Sequence, residues 1–177
     1  RPITLVTTLA DGSQHRRSGY VTEAQSLDSD GGLARKSLLV RPWIALLDHT
    51  LCSRVWQDNS VMDIVEDVFA GHDSIAAWRW DEDVAQHVAN GLHGPTGGVR
   101  KYCVQYRESD GRFISRLLAE EGLNWRVEED EAAPGGHTIV IFANSLNQAQ
   151  DPTSGTLLGG KGIRFHRSSS QEEQDSI

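Results

Sequence analysis

One stretch of the chain has the glycine and lysine spacing of a phosphate-binding loop. Gly155 is followed by Gly160 and Lys161. In nucleotide-binding loops, such glycines let backbone amides cradle phosphate oxygens while the lysine reaches the terminal phosphates. The next residue here is Gly162, where the motif needs a hydroxyl for magnesium. No apolar strand precedes the stretch and no helical pattern follows it, so we interpret it as a loop without phosphate chemistry.

Histidines and carboxylates are the other residue types that could do chemistry. A metal site needs three or four convergent ligands, and no histidine pair here has the spacing of a helical metal-binding motif. His87 and His93 are six residues apart, with Gly91 between them. We therefore predict neither a metal nor a cofactor. The seven histidines are His15, His49, His72, His87, His93, His137 and His166.

Three runs of carboxylates could in principle provide the acid and base of a glycoside hydrolase. They fall on predicted helix surfaces and loop tips, where solvated charge is the ordinary role. No G-x-S-x-G nucleophile motif occurs. We therefore expect no catalytic residue and predict that the chain is not an enzyme. The runs are Asp81 to Asp83, Glu120 to Glu121 and Glu128 to Glu131.

Two tryptophans could bind a sugar or a partner. Trp78 and Trp80 flank Arg79, and exposed aromatic rings at this spacing can stack on a ligand. Packing in a core or an interface is the more common role of tryptophan. We favour packing and keep carbohydrate binding as an alternative.

Composition narrows the class of protein. The chain has 177 residues, with 17 Lys and Arg against 25 Asp and Glu, for a net charge of -8. An acidic chain repels phosphate backbones, and its best basic cluster is only Arg16-Arg17, so we expect no nucleic-acid partner. Cys52 and Cys103 are too few and too far apart for a disulfide framework or a zinc site, so we expect free thiols.

Targeting segments are not evident in the sequence. No stretch approaches the roughly 18 apolar residues of a membrane span, and the first residues do not form a signal peptide. The only methionine is Met62. We therefore expect an excised part of a longer protein.

The elements that would position these residues are mostly strands. Alternating and β-branched residues predict strands over 3–9, 19–27 and 33–40, with a loop over 28–32. Pro42 then ends the pairing. Later strands are predicted over 101–107, 123–127 and 137–143, and a last short one over 162–166.

Two helices are predicted. Ser60 can cap the first, whose apolar residues recur at i, i+3, i+4 and i+7 from Val61 until Gly71. Ser109 or Asp110 can cap the second, which Gly122 ends. The stretch 73–98 has no clear pattern. The sequence predicts an α+β fold with mostly antiparallel strands.

The most specific pattern lies between 102 and 122. It reads Q-Y-R-E-S-D and then F-I-S-R-L-L-A-E-E-G, and it resembles the VgrG spike proteins of type VI secretion and their phage relatives of the tail-hub, late-control-D type. The motif residues are Gln105, Tyr106, Arg107, Glu108, Ser109, Asp110, Phe113, Arg116, Leu117, Leu118, Glu120, Glu121 and Gly122.

Other blocks resemble the same family in the same order. They include the first predicted hairpin, the segment from Arg41-Pro42-Trp43 to Ile64, and Phe165-His166-Arg167. Two departures are visible. Gly111 stands where a bulky residue is usual, and Asn144 stands where Asp is common.

The resemblance implies a phage-hub architecture. A barrel-like tube domain would carry an α+β insert, and three subunits would form a ring. On this basis 1–58 is assigned to a partial barrel, 59–150 to the insert with its two helices, and 151–177 to a connector that returns to the barrel. The motif would fix the second helix against its strands, with a surface pair between Arg116 and Glu120.

The implied function is mechanical. A homotrimeric hub would cap the Hcp tube, contact the baseplate, carry effectors and leave the cell when the sheath contracts. Such a protein is assembled in the bacterial cytoplasm and translocated without a signal peptide. A phage or prophage tail hub is the nearest alternative. A cell-wall hydrolase or a carbohydrate-binding domain of a tail protein is the alternative from another class.

Overall fold

Ten strands and three α-helices occur in the part of the chain described by the computed structural model, which is residues 1–8, 12–30, 32–93, 96 and 98–149. The strands are β1 Pro2–Thr8, β2 Gln14–Asp30, β3 Leu33–Arg41, β4 Leu51–Trp56, β5 Asn59–Ser60, β6 Trp78–Trp80, β7 Val99–Arg100, β8 Cys103–Ser109, β9 Asn124–Glu129 and β10 His137–Phe142. The helices are α1 Val61–Ala70, α2 Val84–Asn90 and α3 Asp110–Glu120, with 3-10 turns at Trp43–His49 and Ser145–Asn147.

The strands form four small sheets, and most of their pairs are antiparallel, as predicted. One sheet has the order β1-β2-β3, and another has the order β6-β10-β9. Two ribbons, β4-β8 and β5-β7, complete the set. The exception is β6, which runs parallel to β10 with Ile139 opposite Trp78. The predicted hairpin of β9 and β10 is confirmed, with Ile139 opposite Val127.

The start of α1 follows the prediction closely. The Ser60 hydroxyl accepts a hydrogen bond from the Asp63 backbone amide, and the Asp63 carboxylate accepts one from the Ser60 amide. This capping box satisfies two amides that a helix leaves unpaired at its N-terminus. Gly71 follows the last helical residue as predicted. The helix then buries Val61, Ile64, Val65, Val68 and Phe69.

The start and end of α3 also agree with the prediction. The Ser109 hydroxyl accepts from the Arg112 amide at 3.2 Å. Gly122 has a φ of +71°, a conformation that favours glycine after a helix. Gly111 leaves no room for a side chain, because an added Cβ would meet the Asp48 carboxylate. The departure at Gly111 thus lets the 3-10 turn approach the first turn of α3.

Aromatic side chains form the centre of the core. The Trp43 ring packs edge-on against Phe69 at 4.8 Å, and the Trp56 ring stacks on Phe113 at 5.0 Å. The Trp43 backbone amide also donates to Nε2 of buried His137 at 2.9 Å. The residues after Pro42 are thereby joined to β10, which lies between β6 and β9 in its sheet.

The structure corrects three expectations about the elements. Three α-helices are present in the described residues rather than two, because α2 forms within the stretch 73–98. Strands β4 and β6 are present, although the sequence predicted no strand over either range. The first hairpin continues through Asp30 and resumes at Leu33, where a loop over 28–32 was expected. The predicted strand 162–166 and the phosphate-like stretch 155–161 lie outside the described residues.

Candidate functional site: the β8–α3 motif and the open sheet

The β8–α3 motif forms the junction between the β4-β8 ribbon and the helical core. Its residues divide into a buried set and an exposed set. Arg116 and Glu120 are exposed and Glu108 is half-buried, while Tyr106 and Arg107 are exposed on β8. The buried residues are Gln105, Ser109, Asp110, Phe113, Leu117, Leu118 and Glu121.

Asp110 is the polar centre of the buried set. Its side chain is fully buried, and Nε2 of Gln105 donates to Oδ1 at 2.7 Å. Oδ2 lies 2.9 Å from Nε2 of His72 and 3.2 Å from Arg54. One carboxylate therefore joins β4, β8, α3 and the segment after α1.

These contacts decide the charge state of Asp110. Burial alone would raise the pKa of this carboxyl group. The hydrogen bonds from Gln105 and His72 and the positive charge of Arg54 outweigh burial and hold the pKa below its usual value. Asp110 is therefore ionised at neutral pH and stabilises the folded chain in that form.

Replacing Asp110 with asparagine should change how the free energy of unfolding depends on pH. A lowered pKa in the folded state gives a stabilisation that is complete above about pH 4 and is lost as the pH falls through the folded pKa. The difference between the urea midpoints of Asp110→Asn and the parent chain should be largest at pH 7 and should shrink as the pH falls below about 4. A constant difference at all pH values would contradict this assignment.

The end of α3 carries a second charged cluster, and it corrects an expectation. Glu121 was expected on a solvated surface, but its side chain is 1% exposed and lies 2.5 Å from Nη2 of Arg100. Arg100 also contacts Glu120 at 2.7 Å. Arg116 contacts Glu120 at 3.1 Å, which confirms the predicted pair, and Glu108 at 2.6 Å. The cluster ties β7 and β8 to α3.

The Glu120 carboxyl group responds to this cluster. Burial would raise its pKa, but the hydrogen bonds and charges of Arg100 and Arg116 lower it overall. Arg100 was missed by sequence reasoning because it is an isolated arginine 20 residues from its partners. No local spacing marks it.

The remaining candidate residues serve packing. The Trp78 ring packs against Phe69 at 5.4 Å, and the Trp80 indole donates to Glu66 at 2.7 Å. Both cysteines are free, with Cys103 buried. In the described residues, no group of three His, Cys, Asp or Glu side chains is placed to hold a metal ion. Among the described helices, none has the length and hydropathy of a membrane span.

The most unusual surface is the β1-β2-β3 sheet, which we call the open sheet. Every residue of β1 is exposed, and among the described strands β1 and β3 each have only β2 as a neighbour, so both are edge strands of this sheet. Apolar side chains are exposed on both faces. A groove of about 450 Å³ lies between this sheet and β9. The exposed apolar residues are Ile3 at 37%, Leu5 at 64%, Val6 at 44%, Leu38 at 49%, Leu39 at 38% and Val40 at 40%.

Few contacts hold the open sheet to the rest of the chain. The Tyr20 ring packs edge-on against His137 at 6.2 Å, and the Ser18 amide donates to Glu129 at 2.9 Å. Arg16 pairs with Glu131 at the surface at 2.8 Å. Exposed apolar residues along unpaired strand edges are typical of a surface that another chain covers.

Several known proteins are similar to this chain in sequence. The family model for the phage tail baseplate hub (GPD) matches residues 1–177. The type VI secretion system spike protein VgrG1b of Pseudomonas aeruginosa is 26% identical over 86% of this chain and 18% of its own length. Spike protein VgrG5 of the same organism is 34% identical over 70% of this chain and 14% of its own length.

A solved structure has the same fold. The E. coli c3393 protein, described as a type VI secretion component structurally similar to phage T4 tail proteins gp27 and gp5, superposes with a TM-score of 0.63. It is 21% identical, and the match covers 82% of this chain and 37% of that chain. This chain spans only a minor part of the length of each relative. It belongs to the phage tail baseplate hub (GPD) family, and it is similar to part of the type VI secretion system spike proteins.

Proposed function

We propose that the chain is the hub part of a type VI secretion spike, acting as a homotrimer that caps the Hcp tube. The trimer contacts the baseplate and is driven out with effectors when the sheath contracts. The observation that carries this proposal is the open sheet, which presents apolar side chains and two strand edges in a chain of the hub family.

The open sheet supplies the physical reason for assembly. Burying apolar surface contributes about 25 cal/mol for each Å² removed from water. In a ring of subunits, neighbouring hub barrels would cover the exposed apolar side chains, with Leu5 on one face of the sheet and Val6 on the other. The edges of β1 and β3 would then no longer face water. Residues 1–58 are proposed as the partial barrel portion, 59–150 as the α+β insert and 151–177 as the return to the barrel.

The motif has a structural role in this proposal. Burial of Gln105, Asp110 and Phe113 supports the view that it fixes α3 against the β4-β8 ribbon rather than acting on a substrate. Because β4 pairs with β8, the end of the first part packs directly on the insert. The protein works mechanically and needs no cofactor.

A phage or prophage tail hub is the second candidate, because the family model describes such hubs. The spike-protein relatives favour type VI secretion. The packing of Trp78 and Trp80 gives no support to carbohydrate binding. The hub is assembled in the bacterial cytoplasm and leaves through the apparatus itself.

Release of Hcp into the medium tests the proposed function. We expect Leu5→Asp in the full-length protein to reduce Hcp release to background, because a carboxylate in the groove opposes burial in the ring. Leu92→Asp is the matched control, since Leu92 is 71% exposed and lies outside the open sheet. Undiminished Hcp release with Leu5→Asp would reject the proposal.

A further inference from the structure

The β4-β8 ribbon has an outer face that the hub proposal does not use. On this face Val55 lies opposite Val104, and Ser53 lies opposite Tyr106. Val55 is 53% exposed, Tyr106 is 67% exposed, and Tyr102, two residues before Val104, is 60% exposed. We call these five residues the ribbon face.

The inner face of the same ribbon packs on the core and holds the two strands in place. Trp56 and Cys103 are buried there, and Trp56 stacks on Phe113 of α3. Gln105 also points inward to Asp110. The inner side chains are therefore needed for folding. The outer valines and tyrosines remain largely exposed in the described residues, so packing within the chain does not account for them. A contiguous exposed apolar patch of this kind is typical of an interaction site.

Arg107 adds a second, independent observation. It sits at a bulge in the pairing of β4 with β8 and has a φ of +48°, which is uncommon for a residue with a side chain. Its amide donates to the Ser53 hydroxyl at 3.2 Å, and its guanidinium lies 5.5 Å from the centre of the Tyr106 ring. The strained backbone thus turns a cation outward beside an exposed aromatic ring.

The charges beside the ribbon face indicate the chemistry of its partner. Arg107, Lys101 and Arg112 are exposed, and none of them has a carboxylate within salt-bridge distance among the described residues. The neighbouring carboxylate of Glu108 forms its salt bridge with Arg116 instead. Two carboxylates lie on the flanking turns: Asp48 lines a surface pocket with Arg107 and Arg112, and the Asp58 backbone amide donates to the Lys101 carbonyl oxygen. Exposed cations without a salt bridge, beside an apolar patch, favour carboxylates on the partner's side of the contact.

We propose that the ribbon face docks a different protein, through a segment that combines apolar side chains with carboxylates. The apolar residues would cover Val55, Val104 and Tyr106, and the carboxylates would pair with Arg107 and its neighbouring cations. A second copy of the ribbon face is disfavoured as the occupant, because a symmetric contact would place the exposed cations of one copy against those of the other.

Site-specific photocrosslinking in cells tests the proposal on the full-length protein. The probe is p-benzoyl-phenylalanine placed at Val55, with the same residue at Leu92 as the control position. Mass spectrometry then identifies the linked segment. We expect a segment of another protein that has net negative charge and apolar residues. Links to the protein's own chain, or no links above the Leu92 control, would overturn the proposal.

Charge reversal makes the test specific. Arg107→Glu should reduce the crosslinks from position 55 at least tenfold, whereas Arg79→Glu, at an exposed arginine on β6, should leave them unchanged. Equal crosslinking with Arg107→Glu would overturn the proposal. The solution mass of each variant is measured in parallel. A failure of hub assembly is thereby distinguished from a failure of docking.

Arg107→Gly separates docking from folding. Glycine accepts a positive φ without strain, so the urea midpoint should stay the same or rise. Crosslinks from position 55 should nevertheless fall at least fivefold, because the guanidinium is gone. Unchanged crosslinking in this stable variant would show that the cation does not contact the partner.

Discussion

Replacing Arg100 with alanine should lower the free energy of unfolding by about 3–5 kcal/mol, as expected when one partner of a buried ion pair is removed. The Arg100 side chain is 8% exposed, and its partner Glu121 is 1% exposed. Without the guanidinium, Glu121 would keep a buried charge without its ion-pair partner. Among the described residues, the nearest basic side chain is then that of His93, whose Nε2 is 3.9 Å away and beyond hydrogen-bond distance. The end of α3 should therefore separate from β7.

A surface pair of the same residue types is the matched control. Arg79 and Glu128 lie 2.7 Å apart, with side chains 48% and 38% exposed. Arg79→Ala should cost less than about 1 kcal/mol, because water and salt screen exposed pairs. Urea unfolding followed by circular dichroism measures both variants. Similar losses in the two variants would contradict the buried role of Arg100.

Replacing Trp43 with alanine should be comparably damaging, with a loss of about 3–5 kcal/mol, as found for large aromatic residues in protein cores. Trp43 is fully buried, packs on Phe69, and donates its indole N–H to the Ala77 carbonyl at 3.0 Å. The variant would leave a cavity between the 3-10 turn and the segment before β6, and the Ala77 carbonyl oxygen would keep only its hydrogen bond from the Ile139 amide.

Trp125 provides the control for this variant. It is 40% exposed on β9, and exposed residues away from special features usually change stability by about 0.5 kcal/mol or less. Trp125→Ala should therefore unfold close to the parent in urea, whereas Trp43→Ala should unfold at much lower urea. Equal midpoints for Trp43→Ala and the parent would contradict the core described here.

Elements with local signals were predictable from the sequence. Ser60 and Ser109 mark helix starts because a hydroxyl at the N-cap pairs with an amide two or three residues later. Alternating apolar residues mark β9 and β10. These signals depend on neighbours in the chain, so no tertiary information was required.

Elements held by distant contacts were missed for the opposite reason. Helix α2 has only Val84 and Val88 as buried residues, and Asp83 does not cap it. The Asp83 carboxylate instead accepts from the amides of Ala143 and Asn144, 60 residues away. Strand β6 has three residues and exists as the parallel neighbour of β10. Such elements depend on partners that no local pattern specifies.

The sequence located the motif correctly, but it did not show which motif residues are buried and which are exposed. Its spacing predicted a capped helix with an apolar face, which the structure confirms. It did not show that Glu121 is buried while Tyr106 faces water, because burial of a charge depends on Arg100 arriving from another strand. The sequence pattern alone therefore separates structural from interacting residues poorly.

The solution mass of the full-length protein, measured by light scattering after size exclusion, tests the hub account most directly. A trimer at micromolar concentration, reduced to a monomer by Leu5→Asp but not by Leu92→Asp, is the result expected if the open sheet is the assembly surface. A stable monomer of the unaltered protein would contradict the trimeric hub, and a trimer that Leu5→Asp leaves intact would contradict the assignment of the open sheet.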